Sequence, residues 1–426
     1  MAADSNSFYQ DSARIELADT EALVGAHQAD VAVVGGGVTG CSAALYLAEQ
    51  GYDVALIEAH SIGWGASGRS GGQILSGFGT DMDVIAKSVG LDAARQAWEM
   101  SREAVRLTAD RVRRYAIDCN LQWGAIDVAA KPRQLRALSR TQQHMRDIYG
   151  DEDLVSLDRD ALWERVRSPA YLGGLYDPNS GHLHPLNYTL GLARAAQAAG
   201  ARIFEASRVE RLTHGRPAQL TAADGTLTAD FVVLAGNAYL SSELAPNLRD
   251  KLMPVKNYMV ATQPLSAHQV AQTLPYDNAV ADSNFVLDYY HLSEDRRMLY
   301  GGQVSYGNRA PRRLRARMVA KLQRLFPALE GVDSTHQWGG LVGVTRNRAP
   351  HLGRLDSNVY FAQGYSGHGM AFAGLSGKLI GEAIAGQAER FDLYTKLDHR
   401  RFPGGDRLRT PLLVLATNFY RMRDWL

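Results

Sequence analysis

Between Asp30 and Glu58 the chain carries an arrangement that few folds can house. The apolar run Asp30-Val31-Ala32-Val33-Val34 stops at Gly35-Gly36-Gly37, as a buried parallel strand does when it meets a tight turn. Residues Thr39 to Gln50 follow with Ala43, Ala44, Leu47 and Ala48 at helical spacing. Gly51 is a natural helix stop before a second apolar run, Val54 to Ile57. The 29 residues from Asp30 to Glu58 are the length of one strand–helix–strand unit. Within it, Gly35 permits the turn, Gly37 lets main chain approach a diphosphate, and Gly40 lets the helix lie close on the sheet. The helix start, with Val38 and Thr39, offers N–H groups and a favourable dipole to negative charge. Glu58, followed by Ala59, stands where a carboxylate can accept hydrogen bonds from a ribose. The unit predicts a dinucleotide site. A free carboxylate at Glu58 disfavours a 2′-phosphate, so NAD or FAD is preferred to NADP.

The rest of the chain limits what surrounds that unit. At 426 residues it exceeds what one core usually organises, so two domains are expected. A net charge of +1 gives no general nucleic-acid footprint. No apolar run reaches the roughly 18 residues of a membrane span, and the acidic stretch before His27 resembles no signal peptide. The two cysteines, Cys41 and Cys119, exclude a disulfide scaffold and suit a reducing cytoplasm. Pro411 to Ala416, with Phe419, Tyr420, Arg421, Arg423 and Trp425 nearby, is a candidate interfacial helix. His182-Leu183-His184 lacks neighbouring ligands at metal-binding spacing, so no metal is expected.

Glycine is the compositional anomaly, 41 residues against a usual share of roughly 7%. Seven fall between Gly63 and Gly79, among Trp64, Arg69, Ile74 and Leu75. That mixture predicts an ordered loop pressed against something that tolerates no side chains. Residues 91–150 read as mainly helical. Asn187 to Ala199 reads as helix, and Arg202 to Phe204 and Phe231 to Leu234 as buried strands flanking a hairpin. Pro254 to Pro264, Phe285 to Leu292 and Met298 to Tyr306 read as strands of a second sheet rich in tyrosine. Val359 to Ala362 is a strand, followed by Gly364-Tyr365-Ser366-Gly367-His368-Gly369-Met370 and a helix to about Ala385. On that helix Gly374, Gly377 and Gly381 form a smooth face for close packing.

The loop Trp64 to Gln73, Trp-Gly-Ala-Ser-Gly-Arg-Ser-Gly-Gly-Gln, resembles that of the flavin-dependent D-amino-acid oxidase superfamily, in the branch of glycine, sarcosine and γ-glutamylputrescine oxidases. The resemblance extends to Gly181-His182 with Pro185-Leu186, Met259 to Thr262 with Pro264-Leu265, Tyr289-Tyr290 with Tyr300 to Gly302, and Gly364 to Met370. It implies an α/β fold, α+β overall: a Rossmann-like FAD-binding domain with a second, mostly antiparallel-sheet substrate domain. The expected division is 1–92, 153–240 and 335–390 for the FAD domain, 93–152 and 241–334 for the substrate domain, and 391–426 as a tail.

The resemblance also implies site residues. Gly35, Gly37, Val38, Thr39, Gly40, Glu58 and Ala59 would serve pyrophosphate and ribose. Ser67, Gly68, Arg69, Ser70, Gly71, Gly72 and Gln73 would lie along the ribityl chain and flavin ring, Val209 at adenine, and Ala235 and Gly236 near the pyrophosphate. Gly364, Ser366, Gly367, His368, Gly369 and Met370 would approach the flavin's polar edge, where a helix start favours negative charge. His368, Tyr258, Tyr290 and Gln73 are the catalytic candidates, Tyr289 a further pocket candidate, and Arg346 and Arg348 candidates for a substrate carboxylate.

The segment Trp338 to Gly364 holds no cysteine, so the flavin is expected to be non-covalent. Where relatives use a strand lysine this chain is expected to read Gly302-Gln303, which puts fast use of oxygen in question. The implied activity is oxidative deamination of an amine, with γ-glutamylputrescine as leading substrate and oxygen or another acceptor. A glycine-, sarcosine- or D-amino-acid-type oxidase, a dehydrogenase and a non-enzymatic flavin-binding protein stay open.

Overall fold

The computed structural model describes residues 7–18, 20–284, 286–305 and 311–403; the candidate interfacial helix near Pro411 lies outside them. Two sheets organise the chain. The first has the order His351–Asp356, Val359–Gln363, Gly225–Leu234, Gly25–Val34, Val54–Ile57, Arg202–Phe204. Its neighbours pair in parallel except the first two strands, which are antiparallel. The hairpin Arg211–Thr213 and Ala218–Thr221 extends it. The expected strand–helix–strand unit is present, with the helix at Val38–Glu49.

That helix is buried on most of its surface because two others cover it, Pro185–Ala198 and Gly369–Ile384. The close approach depends on absent side chains. A Cβ at Gly377 would lie 2.3 Å from the Thr39 carbonyl oxygen, and one at Gly381 2.4 Å from the Tyr46 ring. Ser42 also donates its hydroxyl to the Gly374 carbonyl. The predicted smooth face is thus a helix–helix seam.

The second sheet runs Ser334–Thr345, Leu252–Thr262, Met298–Ser305, Tyr289–Leu292, Ala279–Asp282, Gln122–Ala129, Gly173–His182, Gln73–Ile74, with Val155–Leu157 beside Gly173–His182. Its pairings are antiparallel except Ala279–Asp282 with Gln122–Ala129. One face is packed by Ile126, Val128, Val260, Tyr290, Met298 and Tyr300 with helix Leu314–Leu325. The other face looks toward the first sheet.

These pairings move the expected boundaries. Val155–Leu157 and Gly173–His182 belong to the second sheet, as does Ser334–Thr345, although they fall in or at the edge of 153–240 and 335–390, the ranges expected for the cofactor domain. The helical block holds Leu91–Arg114 and Pro132–Tyr149, but Gln122–Ala129 between them is a strand. Its alternation is faint because small residues, Ala125 and Ala129, share the face of Asp127.

Candidate active site

A cavity of about 1270 Å³ opens between the sheets, above the roughly 300–1,000 Å³ of ordinary ligand pockets. One end is built from main chain. Gly35 turns at φ +112°, and a Cβ there would meet the Ala235 carbonyl carbon at 2.9 Å. A Cβ at Gly37 would lie 2.8 Å from Ser67 Oγ. Thr39, Glu58, Ala59, Ser67, Val209, Ala235 and Gly236 line the same end. Glu58 braces the turn: its carboxylate accepts from the Gly36 N–H at 2.7 Å and the His60 N–H at 2.9 Å. Thr39 shares a 2.7 Å hydroxyl hydrogen bond with Tyr365.

The second glycine-rich stretch is ordered, as expected, because it is tied to the second sheet. Arg69 donates from Nε to the Trp64 carbonyl at 2.7 Å and lies over the Trp64 ring. Its own carbonyl accepts the Trp338 indole N–H at 2.9 Å. Gln73 Nε2 donates to the Val280 carbonyl at 3.2 Å. Gly71 lies under Tyr289, where a Cβ would be 2.6 Å from the ring, and Gly72, at φ +66°, abuts the Leu183 carbonyl. Arg69, Ser70, Gly71, Gly72 and Gln73 all face the cavity.

The C-terminal motif closes the opposite wall with Ser366, Gly367, His368, Gly369 and Met370. His368 precedes helix Gly369–Ile384, and its Nδ1 is buried without a hydrogen-bond partner. Burial, then Arg348, pushes its pKa down to about 4, so the ring is neutral near pH 7.

Several expected positions act elsewhere. Val38, Gly40, Gly68 and Gly364 do not line the cavity. Val38 donates its N–H to Ser67 Oγ at 3.0 Å. Cβ atoms at Gly40 and Gly68 would lie 1.9 Å from the Gly35 oxygen and 2.3 Å from the Gly63 oxygen. Gly364 turns at φ +74° and donates to Asn237 Oδ1 at 3.0 Å. These four shape the walls from behind.

Tyr258 and Tyr290, expected at the reacting centre, lie on the far face of the second sheet. Neighbouring strand residues face opposite sides, so Tyr289 looks into the cavity while Tyr290, fully buried, joins the core beyond the sheet. Tyr290 donates its hydroxyl to Tyr171 at 3.0 Å. Tyr258, 3% exposed, is in the same core. Arg348 lines the cavity and Arg346 does not. Gln303 pairs with Tyr258 and lines a separate surface hollow with Lys321 and Arg324, on the side of the sheet away from the cavity.

Asp127, Asp177, Arg140, Asn257, Met259 and Ala281 also line the cavity and escape the sequence reading. The alternation Ala125, Asp127, Ala129 against Ile126, Val128 is the signal that points to the first of them. His182 and His184 diverge: His182 Nε2 meets the Asp277 carbonyl at 2.9 Å, and His184 caps helix Pro185–Ala198 at the Asn187 N–H. Among the described residues one grouping of metal-ligand type exists, His182, Asp277 and His291. His182 Nε2 is 2.9 Å from the Asp277 carbonyl oxygen, and His291 Nδ1 is 2.8 Å from that of Leu292.

The donor set fits FAD. The glycine walls leave a cradle that Cβ atoms would fill, the volume exceeds a single small ligand, and His368 offers an unpartnered polar atom. Neither cysteine lines the cavity and both are buried, so neither provides a thioether link. Among the described residues no helix is long and apolar enough to cross a membrane.

Comparison with known proteins agrees. The chain is 42% identical over 424 residues to the γ-glutamylputrescine oxidoreductase of Escherichia coli K12, covering 100% of this chain and 99% of that protein. It is 26% identical to the glycine oxidase of Geobacillus kaustophilus over 86% of this chain and 96% of that one. The crystal structure of a glycine oxidase from that organism superposes with a TM-score of 0.73 at 24% identity, covering 89% of this chain and all of that one. Residues 30–383 match the DAO family, described as FAD dependent oxidoreductase, and the chain belongs to that family of FAD-dependent oxidoreductases.

Proposed function

We propose that the protein deaminates a γ-glutamylated amine oxidatively, with γ-glutamylputrescine as substrate, in the cytoplasm. The observation that carries this reading is that the cavity continues past the glycine cradle, over Tyr289 and Ala281, to helix Pro132–Tyr149. That gives room for a long substrate beside a dinucleotide. The full-length similarity to the E. coli γ-glutamylputrescine oxidoreductase supports the same choice.

FAD, when bound, supplies the acceptor for a hydride from the carbon bearing the amine. Gly35, Gly37, Thr39 and Glu58 would hold its pyrophosphate and ribose, and Ser70 to Gln73 with Gly367 to Met370 its ring. The protein's remaining work is orientation and exclusion of water. Tyr289, Met259 and Val255 give the cavity apolar walls. His368, neutral at physiological pH, places a polar contact without adding a charge. The amine must be neutral to lose hydride, and the resulting imine is hydrolysed by water to aldehyde and ammonia.

Anaerobic addition of γ-glutamylputrescine to the purified yellow protein should bleach the flavin, and oxygen should then restore colour with release of hydrogen peroxide. Bleaching by sarcosine or glycine but not by γ-glutamylputrescine would reassign the substrate. Recolouring only with an artificial acceptor would make the protein a dehydrogenase, and no bleaching by any amine would leave flavin binding alone.

A further inference from the structure

The register of the second sheet places one row of residues across the cavity floor. Met259 lies opposite Gly301, Gly301 opposite Tyr289, Tyr289 opposite Ala281, and Ala281 opposite Asp127. Tyr289 is the member packed against Gly71 of the cofactor loop. Adjacent strands lie about 4.8 Å apart, so Asp127 stands two strands, about 10 Å, beyond Tyr289. Ala281 separates them and Ala125 and Ala279 lie nearby on the lining, leaving open floor between the tyrosine and the carboxylate.

Asp127 has no hydrogen-bond or ion-pair partner among the contacts that shape its titration, which are desolvation by surrounding protein and the like charge of Asp177. Asp127 is exposed, and its accessible surface faces the cavity. A carboxylate there, with no partner of its own, is open to a cation that enters the cavity, and a charge-assisted contact of that kind is stronger than a neutral one. Asp177 is on the same face, opposite Ala125, but its oxygens already accept from the Asn179 N–H at 2.9 Å and the Ser180 hydroxyl. Arg140, from helix Pro132–Tyr149, which packs against strand Gln122–Ala129, also lines the cavity.

We propose that Asp127 binds an ammonium group at the far end of an extended substrate and that Arg140 takes the carboxylate beside it. The pair selects amines whose distal end is an α-amino acid. This deepens the γ-glutamyl reading and rests on it. In an extended γ-glutamyl derivative of a four-carbon diamine, nine bonds separate the reacting carbon from the α-nitrogen. Three backbone bonds span at most ~3.6 Å, so nine span about 11 Å, close to the spacing of the floor row. Glycine and sarcosine place both charges within a few bonds and cannot use Asp127 and the flavin together.

The test compares γ-glutamylputrescine with N-glutarylputrescine, which keeps the distal carboxylate and lacks the α-ammonium. Steady-state kinetics are measured on flavin-loaded wild type, Asp127→Asn and Arg140→Gln. Asp127→Asn should raise KM for γ-glutamylputrescine roughly 30-fold, the scale of a lost charge-assisted contact, with kcat retained and N-glutarylputrescine little affected. Arg140→Gln should raise KM for both. Equal loss of kcat on both substrates in Asp127→Asn would place Asp127 at the reacting amine and overturn the assignment, as would unchanged kinetics. Wild-type enzyme that fails to turn over γ-glutamylputrescine overturns the functional reading and this assignment together. Wild-type turnover with an indifferent Asp127→Asn overturns this assignment alone.

Discussion

The two ends of the cavity are made of different material. At the cofactor end the wall is main chain, with Gly35, Gly37, Gly71 and Gly72 brought close to neighbouring groups because they lack a Cβ. At the substrate end the wall is the side-chain face of the second sheet and helix Pro132–Tyr149, with Tyr289, Asp127 and Arg140 projecting into space. A main-chain wall recognises diphosphate and ring through N–H groups and tolerates no added atom. A side-chain wall can be altered one residue at a time while the sheet hydrogen bonds stay. Cofactor choice is therefore bound to the fold, and substrate choice is separable from it.

The strongest attempt to break this contrast is Gly40→Val. Even its Cβ would lie 1.9 Å from the Gly35 oxygen, a backbone overlap that the helix can relieve only by leaving the sheet. We expect loss of at least about 3 kcal/mol and a colourless or insoluble product, read from the flavin-to-protein absorbance ratio and thermal unfolding. Yellow protein of wild-type stability would show that the cradle is not set by main-chain contact.

Lys321→Met probes the far face of the second sheet. Lys321 Nζ lies 2.6 Å from Asp288, which also accepts the Tyr300 hydroxyl at 2.7 Å. Asp288 is buried and Lys321 part-exposed, and losing a charge-assisted hydrogen bond of this kind costs roughly 1.5–3 kcal/mol, measurable by denaturant unfolding. Flavin content and KM under native conditions should hold, since this cluster faces away from the cavity. Burial raises the pKa of both Asp288 and its neighbour Asp282. The folded pair thus binds more protons than the unfolded chain once pH exceeds the ordinary carboxylate range. Stability falls as pH rises from there through neutrality. Asp282→Asn should remove part of that slope, and an unchanged slope would assign it to other groups.

Asp127 gives a smaller effect confined to the substrate end. Desolvation by the protein around the cavity floor, with Asp177, raises its pKa to about 6. Asp177, Arg140, His144, Asp81 and Asp83 line the same cavity and set the background. Protonation as pH falls through about 6 removes the charge that an ammonium needs. KM for a γ-glutamyl amine should then rise up to tenfold per unit, and Asp127→Asn should lack that limb.

What the sequence disclosed follows the same division. Gly35 to Gly40, Gly63 to Gly79 and Gly364 to Gly369 are legible because close main-chain approach demands one residue type wherever the chain later goes. The substrate face is not legible in that way. Whether Tyr289 or Tyr290 faces the cavity depends on register with Ala281 and Gly301, strand partners that composition does not reveal. Gln122–Ala129 was hidden because alanines on its cavity face blur the period of two, and Asp127 was hidden with it. Gln303 was misplaced by a bulge: Tyr258 pairs with Gln303 while Met259 pairs with Gly301, so one extra residue turns the side chain to the other face.

The smallest expected effect tests that register most directly. Tyr290→Phe removes the hydroxyl donated to Tyr171 inside the second core, worth about 1 kcal/mol for a buried neutral hydrogen bond. Stability should fall by that amount with kcat and KM unchanged. Tyr289→Ala, one residue earlier, removes the ring that lies over Gly71 and Gly301. It should impair turnover and substrate affinity more than it impairs unfolding. The two tyrosines differ only in which side of one strand they occupy. If Tyr290→Phe lowers kcat, or Tyr289→Ala acts through stability alone, the sheet is registered one residue away from the arrangement described, and Asp127 would turn from the cavity with it.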